Sequence, residues 1–428
     1  MSNMSRPSLL GAIVTLLGAS ALAAASDASA MRPPLHANAH TRAHTETVLF
    51  ALTGGRVGAN PGGLVLLRDG TIIVSAQTGG TPCPQAPTGC GLIFKLTPTG
   101  NGYRQSIVYV FRGGKDGATP RNVVADAAGN LYGTTDLGGD SRNTSCPNGC
   151  GTVYMLSPTA RGYHESTVYR FQGGVDGYLP STGGVFVDAA GSIYGQTSLG
   201  GTACGCGTIY RLTPTTTGYQ KATIHAFAGP PDDGAAPQSA LSEGAHGVLY
   251  GTTSSGGSCA GGNCGVVFRA APKGAGYRYQ VIHAFGGPPA DGFAPDFGVV
   301  VQPGGLLVGA TNGGGTNHQG VIYRLRPTGN RYEILTLFNG INGANPRFLA
   351  PGGDGTIYGS SFSGGSVNEG LVYALHAGAE TVLYPFSGGT DGANPTAVVA
   401  GPGRAILGAT LNGGDPACAC GVVFRIAR

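Results

Sequence analysis

The chain has 428 residues, of which 79 are glycine, 28 proline and 10 cysteine, while charged residues supply only 11%. Its net charge of +4 is small for that length and forms no basic stripe, which excludes a nucleic-acid footprint. So much glycine and proline without a triplet period would suit disorder, but here it lies between segments rich in Val, Ile, Leu, Tyr and Phe, as turn chemistry does.

In chain order, residues 1–30 read as a secretory signal: Arg6 supplies the positive start, Leu9 to Ala25 the apolar run, and Ala28-Ser29-Ala30 a small-residue cleavage site. The run is short for a spanning helix and is diluted by Gly and Ser, so no membrane span is expected after cleavage. Residues 31–45, with His36, His40 and His44, read as a flexible linker. The rest, 46–428, is one repeat domain.

There a single unit recurs seven times. Its first strand ends at Leu52, Phe111, Phe171, Phe227, Phe285, Phe338 and Phe386, at spacings of 59, 60, 56, 58, 53 and 48. Its last strand keeps register at Phe94, Tyr154, Tyr210, Phe268, Tyr323, Tyr373 and Phe424. Four short strands per unit at this period predict an all-β, seven-bladed β-propeller with four antiparallel strands per blade, not a helical solenoid. The apolar segment after the loop proline, such as 122–125, is placed innermost. The Tyr-Gly-Thr-Thr strand comes second, the Gly-Val-Tyr-Arg-Leu strand third and the Val-Tyr-x-Phe strand outermost. Residues 46–52 then have no preceding blade to complete, and are expected to close the ring by pairing with the C-terminal blade, leaving no open edge.

All ten cysteines fall in close pairs, each between the second and third strands of its blade: Cys83 and Cys90, Cys146 and Cys150, Cys204 and Cys206, Cys259 and Cys264, Cys418 and Cys420. In an oxidising compartment these predict five local disulfides, each stabilising by about 2 kcal/mol. A zinc site competes poorly, because the pairs differ in spacing and two repeats have none. No metal and no cofactor are expected.

This phasing puts the Gly-Gly-x-Asp-Gly loops and the cysteine loops on one face, and only short turns such as 126–129 on the other. The elaborated face is the expected binding surface, since function sits on loops held by a rigid frame. The residue after each loop proline should rim the central channel: Gly62, Arg121, Ser181, Gln238, Asp296, Arg347 and Thr396. Arg121, Gln238, Asp296 and Arg347 are the candidate ligand residues there, able to grip a polar or anionic ligand. His318, in the cysteine-free loop of the fifth repeat, joins them as the histidine to test for chemistry. His225 and His283 fill a slot held elsewhere by Tyr109, Tyr169 and Tyr384, and read as packed substitutes. The recurring loop aspartates, Asp116, Asp176, Asp233, Asp291 and Asp391, read as turn caps ahead of a calcium site. Tyr178 and Phe293 lie in loops on the same face and are candidate stacking residues. No metalloprotease, nucleophile-elbow or P-loop motif is present.

The segments 129–135 (Gly-Asn-Leu-Tyr-Gly-Thr-Thr), 151–156 (Gly-Thr-Val-Tyr-Met-Leu) and 381–393 resemble the GloVer repeats, glycine-rich tandem units of exported bacterial proteins. That resemblance spans 46–428 and implies export and a propeller-like fold; it carries no established activity and no catalytic residues. Members often end in a C-terminal sorting anchor. Here the sequence given ends at Arg428, and a freely soluble monomer, periplasmic or secreted, is expected. The expected function is binding of a polar small molecule, a glycan or a protein through the disulfide-braced face. The alternatives are a lactonase, hydrolase or lyase acting at the channel mouth, and a structural surface or matrix protein.

Overall fold

A computed structural model describes residues 44–139, 143–180, 183–259 and 264–428. The predicted signal and nearly all of the linker lie outside the described residues.

Seven antiparallel sheets form a seven-bladed propeller. The first blade runs from inside to outside as Ala59–Leu66, Ile72–Thr78, Leu92–Thr99 and Gly102–Val110. The second repeats it as Ala118–Ala125, Leu131–Leu137, Thr152–Thr159 and Gly162–Arg170. The first strands of neighbouring blades touch around the central bore, as the phasing requires. In the third, fourth and fifth blades this inner strand is interrupted. The fifth, for instance, has Gly292–Phe293 and Val299–Val301 in place of one continuous strand. The seventh blade takes its inner three strands from Ala393–Ala400, Ile406–Asn412 and Val422–Ala427, and its outer strand from the other end of the chain, Thr45–Ala51. Glu46 pairs with Ile426 and Val48 with Phe424, so the ring closes by the predicted pairing.

The two positions that register the repeat are the two that meet between blades. Phe111 of one blade packs against Tyr154 of the next with ring centroids 5.0 Å apart. Phe171 meets Tyr210 at 5.2 Å, Phe227 meets Phe268 at 5.5 Å and Phe285 meets Tyr323 at 5.2 Å. Phe338 meets Tyr373 at 5.5 Å and Phe386 meets Phe424 at 5.1 Å. At the seam Leu52 takes the aromatic's place in the cluster that holds Phe94. Tilted aromatic pairs contribute about 0.5–1.5 kcal/mol beyond the area they bury. The glycine of Tyr-Gly-Thr-Thr explains itself here: a Cβ at Gly195 would lie 2.3 Å from the Tyr210 hydroxyl.

A second sevenfold junction lies at the loop proline. A Cβ on the glycine after each cysteine loop, or after its counterpart in the fifth and sixth blades, would fall 2.3–2.8 Å from the Cδ of the next blade's loop proline. The residue before each proline, Asn60, Thr119, Leu179, Ala236, Ala294, Asn345 or Asn394, sits in the left-handed region with φ between 52 and 60°. Its amide donates at 2.8–3.1 Å to the carbonyl of the preceding blade's Cys420, Cys90, Cys150, Cys206, Cys264, Gln319 or Glu369. Strain at a non-glycine left-handed residue is held by that bond and the packed proline.

Candidate functional site at the channel mouth

Both elaborated loop classes lie on one face, where they interlock. The amide of Gly80 donates to Gly55 O at 2.8 Å, and that of Gly139 to Gly114 O at 2.7 Å. All five predicted disulfides form, with Cα separations from 5.1 to 6.0 Å, inside the range a disulfide spans without backbone movement. No cysteine is free.

The loop aspartates cap the turns. Asp116 accepts the Arg112 amide at 2.7 Å and the Tyr109 hydroxyl at 2.8 Å. Asp233 accepts the Ala228 amide at 2.8 Å and faces His225 Nε2 at 2.9 Å. His283 approaches Asp291 in the same way, at 3.3 Å. Both histidines stack flat on a tyrosine of the next blade, Tyr279 or Tyr332, at 3.6 and 4.0 Å. The two histidines are therefore packed members of the ring. The carboxylates are occupied by N–H and O–H donors, which is the turn role and not that of a cation ligand. Each loop also receives a reach-back residue that the sequence reading missed. It stands six positions before the aligned ring residue: Glu46, Gln105, Glu165, Lys221, Tyr279, Tyr332 and Glu380. Lys221 Nζ meets Asp176 at 2.8 Å, Tyr279 donates to Asp233 at 2.8 Å and Asn342 donates to Glu380 at 2.8 Å. Its residue type changes at nearly every blade, so only its fixed offset could have revealed it.

At the mouth, the inner strands are kinked where they leave the proline. Pairing with the second strand slips between Pro120 and Val123 and between Pro346 and Leu349. Such bulges lift side chains off the ladder and re-aim them. The two arginines placed there are treated differently. Arg121 Nε donates to Asp136 at 2.7 Å and Nη1 to Gln77 at 2.6 Å, so its charge is consumed by its own and the preceding blade. In the sixth blade Phe362 stands where Asp136 stands in the second. The Arg347 guanidinium lies 3.7 Å from the Phe362 ring centroid and 5.2 Å from that of Phe297. Its Nε is buried without a partner, as is Oδ1 of Asn312, which stands where Gln77 serves Arg121. Asp296 of the fifth blade is the neighbouring acid. Burial pushes its carboxyl up to about 6 against the pull of Arg347. Burial also lowers the affinity of Arg347 for its proton, with Asp296 opposing.

The remaining candidates stand apart. Gln238 donates to Ser254 Oγ at 3.3 Å and is held within the frame. His318 is exposed in its loop in the left-handed region, φ 59°, and no hydrogen bond or ion pair joins it to the rim. Tyr178 packs into the core of the third blade. Phe293 lies over Gly313, where a Cβ would come within 2.3 Å of its ring. Of the candidates only Asp296 and Arg347 come together; Arg121 is three blades from Arg347 around the ring. The convergence of Arg121, Asp296, Arg347 and His318 required by the enzymatic alternative is not formed.

Directly below this mouth the bore widens into a cavity of about 320 Å³. It is lined by Phe297, Phe348, Val299, Val300, Leu349 and Val398, together with Asn122, Ser239 and Ser242. The polar members are turned to the frame: Asn122 donates to Gly183 O at 3.1 Å, Ser242 to Val299 O at 2.5 Å, and Ser239 accepts from Gln196. The cavity was not anticipated. Its signal was one column further on from the rim, where aromatic residues occur only at Phe297 and Phe348.

Among solved structures, the chain is similar to the extracellular domain of a one-component system from B. thetaiotaomicron, at 11% identity and TM-score 0.55, over 90% of this chain and 40% of that one. It is also similar to a protein assigned as a 6-phosphogluconolactonase from Bacteroides fragilis, at 11% identity and TM-score 0.50, over 81% of this chain and 95% of that one. A PQQ-bound aldose sugar dehydrogenase from Streptomyces coelicolor matches at 12% identity and TM-score 0.48, over 90% and 98% of the two chains. At such identities the likeness is one of propeller fold. None of the curated proteins matches the chain. The family described as Gloeobacter/Verrucomicrobia repeat matches residues 141–350 and 304–428, and with the sevenfold frame laid out above the chain belongs to it.

Proposed function

We propose that this chain is an exported propeller, periplasmic or secreted, that binds a ligand at the mouth of its central channel on the disulfide-braced face. The observation that carries this is the contrast between its two rim arginines. Arg121 is ion-paired with Asp136, whereas the Arg347 guanidinium lies over the Phe362 ring, with Asp296 as its neighbouring acid but no ion pair within 4.0 Å among the described residues. A cation without an ion pair, placed next to the open end of a largely apolar cavity, suits a ligand site. The five disulfides support export, because such bonds persist in oxidising compartments.

The test is a glycan and metabolite screen by thermal shift, with hits measured by calorimetry on the native chain, Arg347→Ala and Arg121→Ala. A hit that weakens at least tenfold in Arg347→Ala and is kept by Arg121→Ala supports the proposal. Hits indifferent to both substitutions reject it.

A protein partner on the same face is the second reading. Ile341 and Val367 are 82% and 54% exposed in adjacent loops of the sixth blade, which are joined where Gly365 donates to Gly340 O at 2.8 Å. Exposed apolar side chains gathered at one place suit an interaction surface.

A further inference from the structure

The reading of the mouth as a ligand site leaves the ligand's chemistry open, and the inference below rests on it. The bore beneath Arg347 is an apolar chamber. Val299 and Leu64 are 4% and 5% exposed, and Phe297 and Phe348 pack together with centroids 4.9 Å apart at its upper end. The side-chain hydroxyls and amide of Ser239, Ser242 and Asn122 are spent on neighbouring backbone or side chains, and the greater part of the exposed wall is apolar, which favours an apolar guest over a polyol. Sugars need a wall of unspent donors and acceptors, since each hydroxyl buried without a partner costs free energy. An apolar chamber takes apolar matter: a cavity of about 150 Å³ accepts one benzene, so one of about 320 Å³ accommodates two fused rings or a medium alkyl chain.

What stands at the chamber's upper end is charged. Phe297 lines the cavity and also lies 5.2 Å from the Arg347 guanidinium, so the chamber wall and the cation share a residue. With Phe362 and Phe297 beside it, that guanidinium offers its donors in a plane, the geometry that matches a carboxylate. We infer that the channel binds an apolar carboxylic acid, aryl or medium-chain, with its carboxylate on Arg347 and its body in the cavity lined by Phe297, Phe348, Val300 and Leu349. Asp296 tempers the site: its negative charge opposes the ligand's, so removing that charge tightens binding.

The experiment is titration calorimetry of the native chain with 2-naphthoate and octanoate, with the neutral 2-naphthamide and glucose alongside. Both acids are expected to bind at sub-millimolar concentration, the amide at least tenfold more weakly and glucose not at all. Arg347→Ala should weaken both acids at least tenfold and Asp296→Asn should tighten them severalfold. Val300→Phe, which fills the bore, should abolish them, while Arg121→Ala changes nothing. Equal affinity for the amide and the acid overturns the inference without any variant being needed. Failure of both acids while glucose or another polar hit binds in an Arg347-dependent manner overturns it and leaves the mouth-binding proposal standing. If nothing binds with dependence on Arg347, both fall.

Discussion

The amide of Asn60 donates to the carbonyl of Cys420 at 3.0 Å, tying the first inner strand to the last disulfide loop. The same bond recurs at the other six junctions, but at this one it joins the two ends of the ring. Pro61 seats against Gly421 in the same place, and the strand Thr45–Ala51 runs beside Val422–Ala427. The ring is therefore held at its seam by the junction used everywhere else, plus a strand borrowed from the N-terminal end.

A side chain at Gly421 should break that seam. Its φ is +91°, and a Cβ would meet Thr410 O at 2.2 Å and Pro61 Cδ at 2.8 Å. Gly403 also has positive φ, +63°, but a Cβ there meets nothing within 4 Å. Gly403→Ala should cost about 1 kcal/mol, the conformational term alone. Gly421→Ala adds overpacking and should cost roughly 3 kcal/mol or more. Denaturant midpoints of the two variants check this; equal costs would mean the seam is not closely packed.

The frame was legible because it rests on identity. The loop prolines, the ring aromatics and the cysteine pairs could be aligned by eye, and each proved to be an inter-blade contact or a bond. The channel was less legible, because its chemistry lies where the repeat departs from itself. Arg121 and Arg347 occupy one column, yet an acid on the second strand consumes one and a phenylalanine in the same place cradles the other. No single-column reading separates them. The break in register after the proline, between Pro120 and Val123 and between Pro346 and Leu349, is a backbone event that no residue announces.

Four blades carry a buried tyrosine whose hydroxyl has no partner: Tyr154, Tyr210, Tyr323 and Tyr373. Phe94, Phe268 and Phe424 fill the same slot in the other three without loss of packing. An unmet hydroxyl in the core costs about 1–3 kcal/mol relative to its hydrated state. Tyr210→Phe should therefore be neutral or raise stability by about 1 kcal/mol, read as a shift in the denaturant midpoint. A loss above that size would show that the hydroxyl is satisfied after all.

The disulfides brace loops that are already anchored. Thr202 Oγ1 donates to Phe227 O at 2.7 Å beside the Cys204–Cys206 bond, and in the cysteine-free fifth blade Asn317 donates to Phe338 O at 3.2 Å. Such short loops contribute only about 2 kcal/mol each. Reduction should lower the unfolding temperature while leaving the β-sheet circular dichroism intact at 25 °C. Non-reducing mass spectrometry should give a chain ten hydrogens lighter than the reduced one, as five bonds require.

The seam also carries a pH dependence. Glu46 reaches back toward the Asp391 loop; burial, then the charge of Asp391, pushes its carboxyl up to about 7. A carboxyl whose folded pKa lies above its unfolded value keeps its proton better in the folded state. The folded state is then favoured below the unfolded pKa, and that advantage is lost as pH rises through the folded value. Between about pH 4.5 and 7 the native seam should weaken as Glu46 ionises beside Asp391. Glutamine occupies this position in the first blade, where Gln105 donates to Val57 O at 3.1 Å. Glu46→Gln should thus raise the unfolding temperature at pH 8, give little or no gain at pH 5, and flatten the profile between them. A uniform gain at both pH values would place the effect in packing and not in the shared charge.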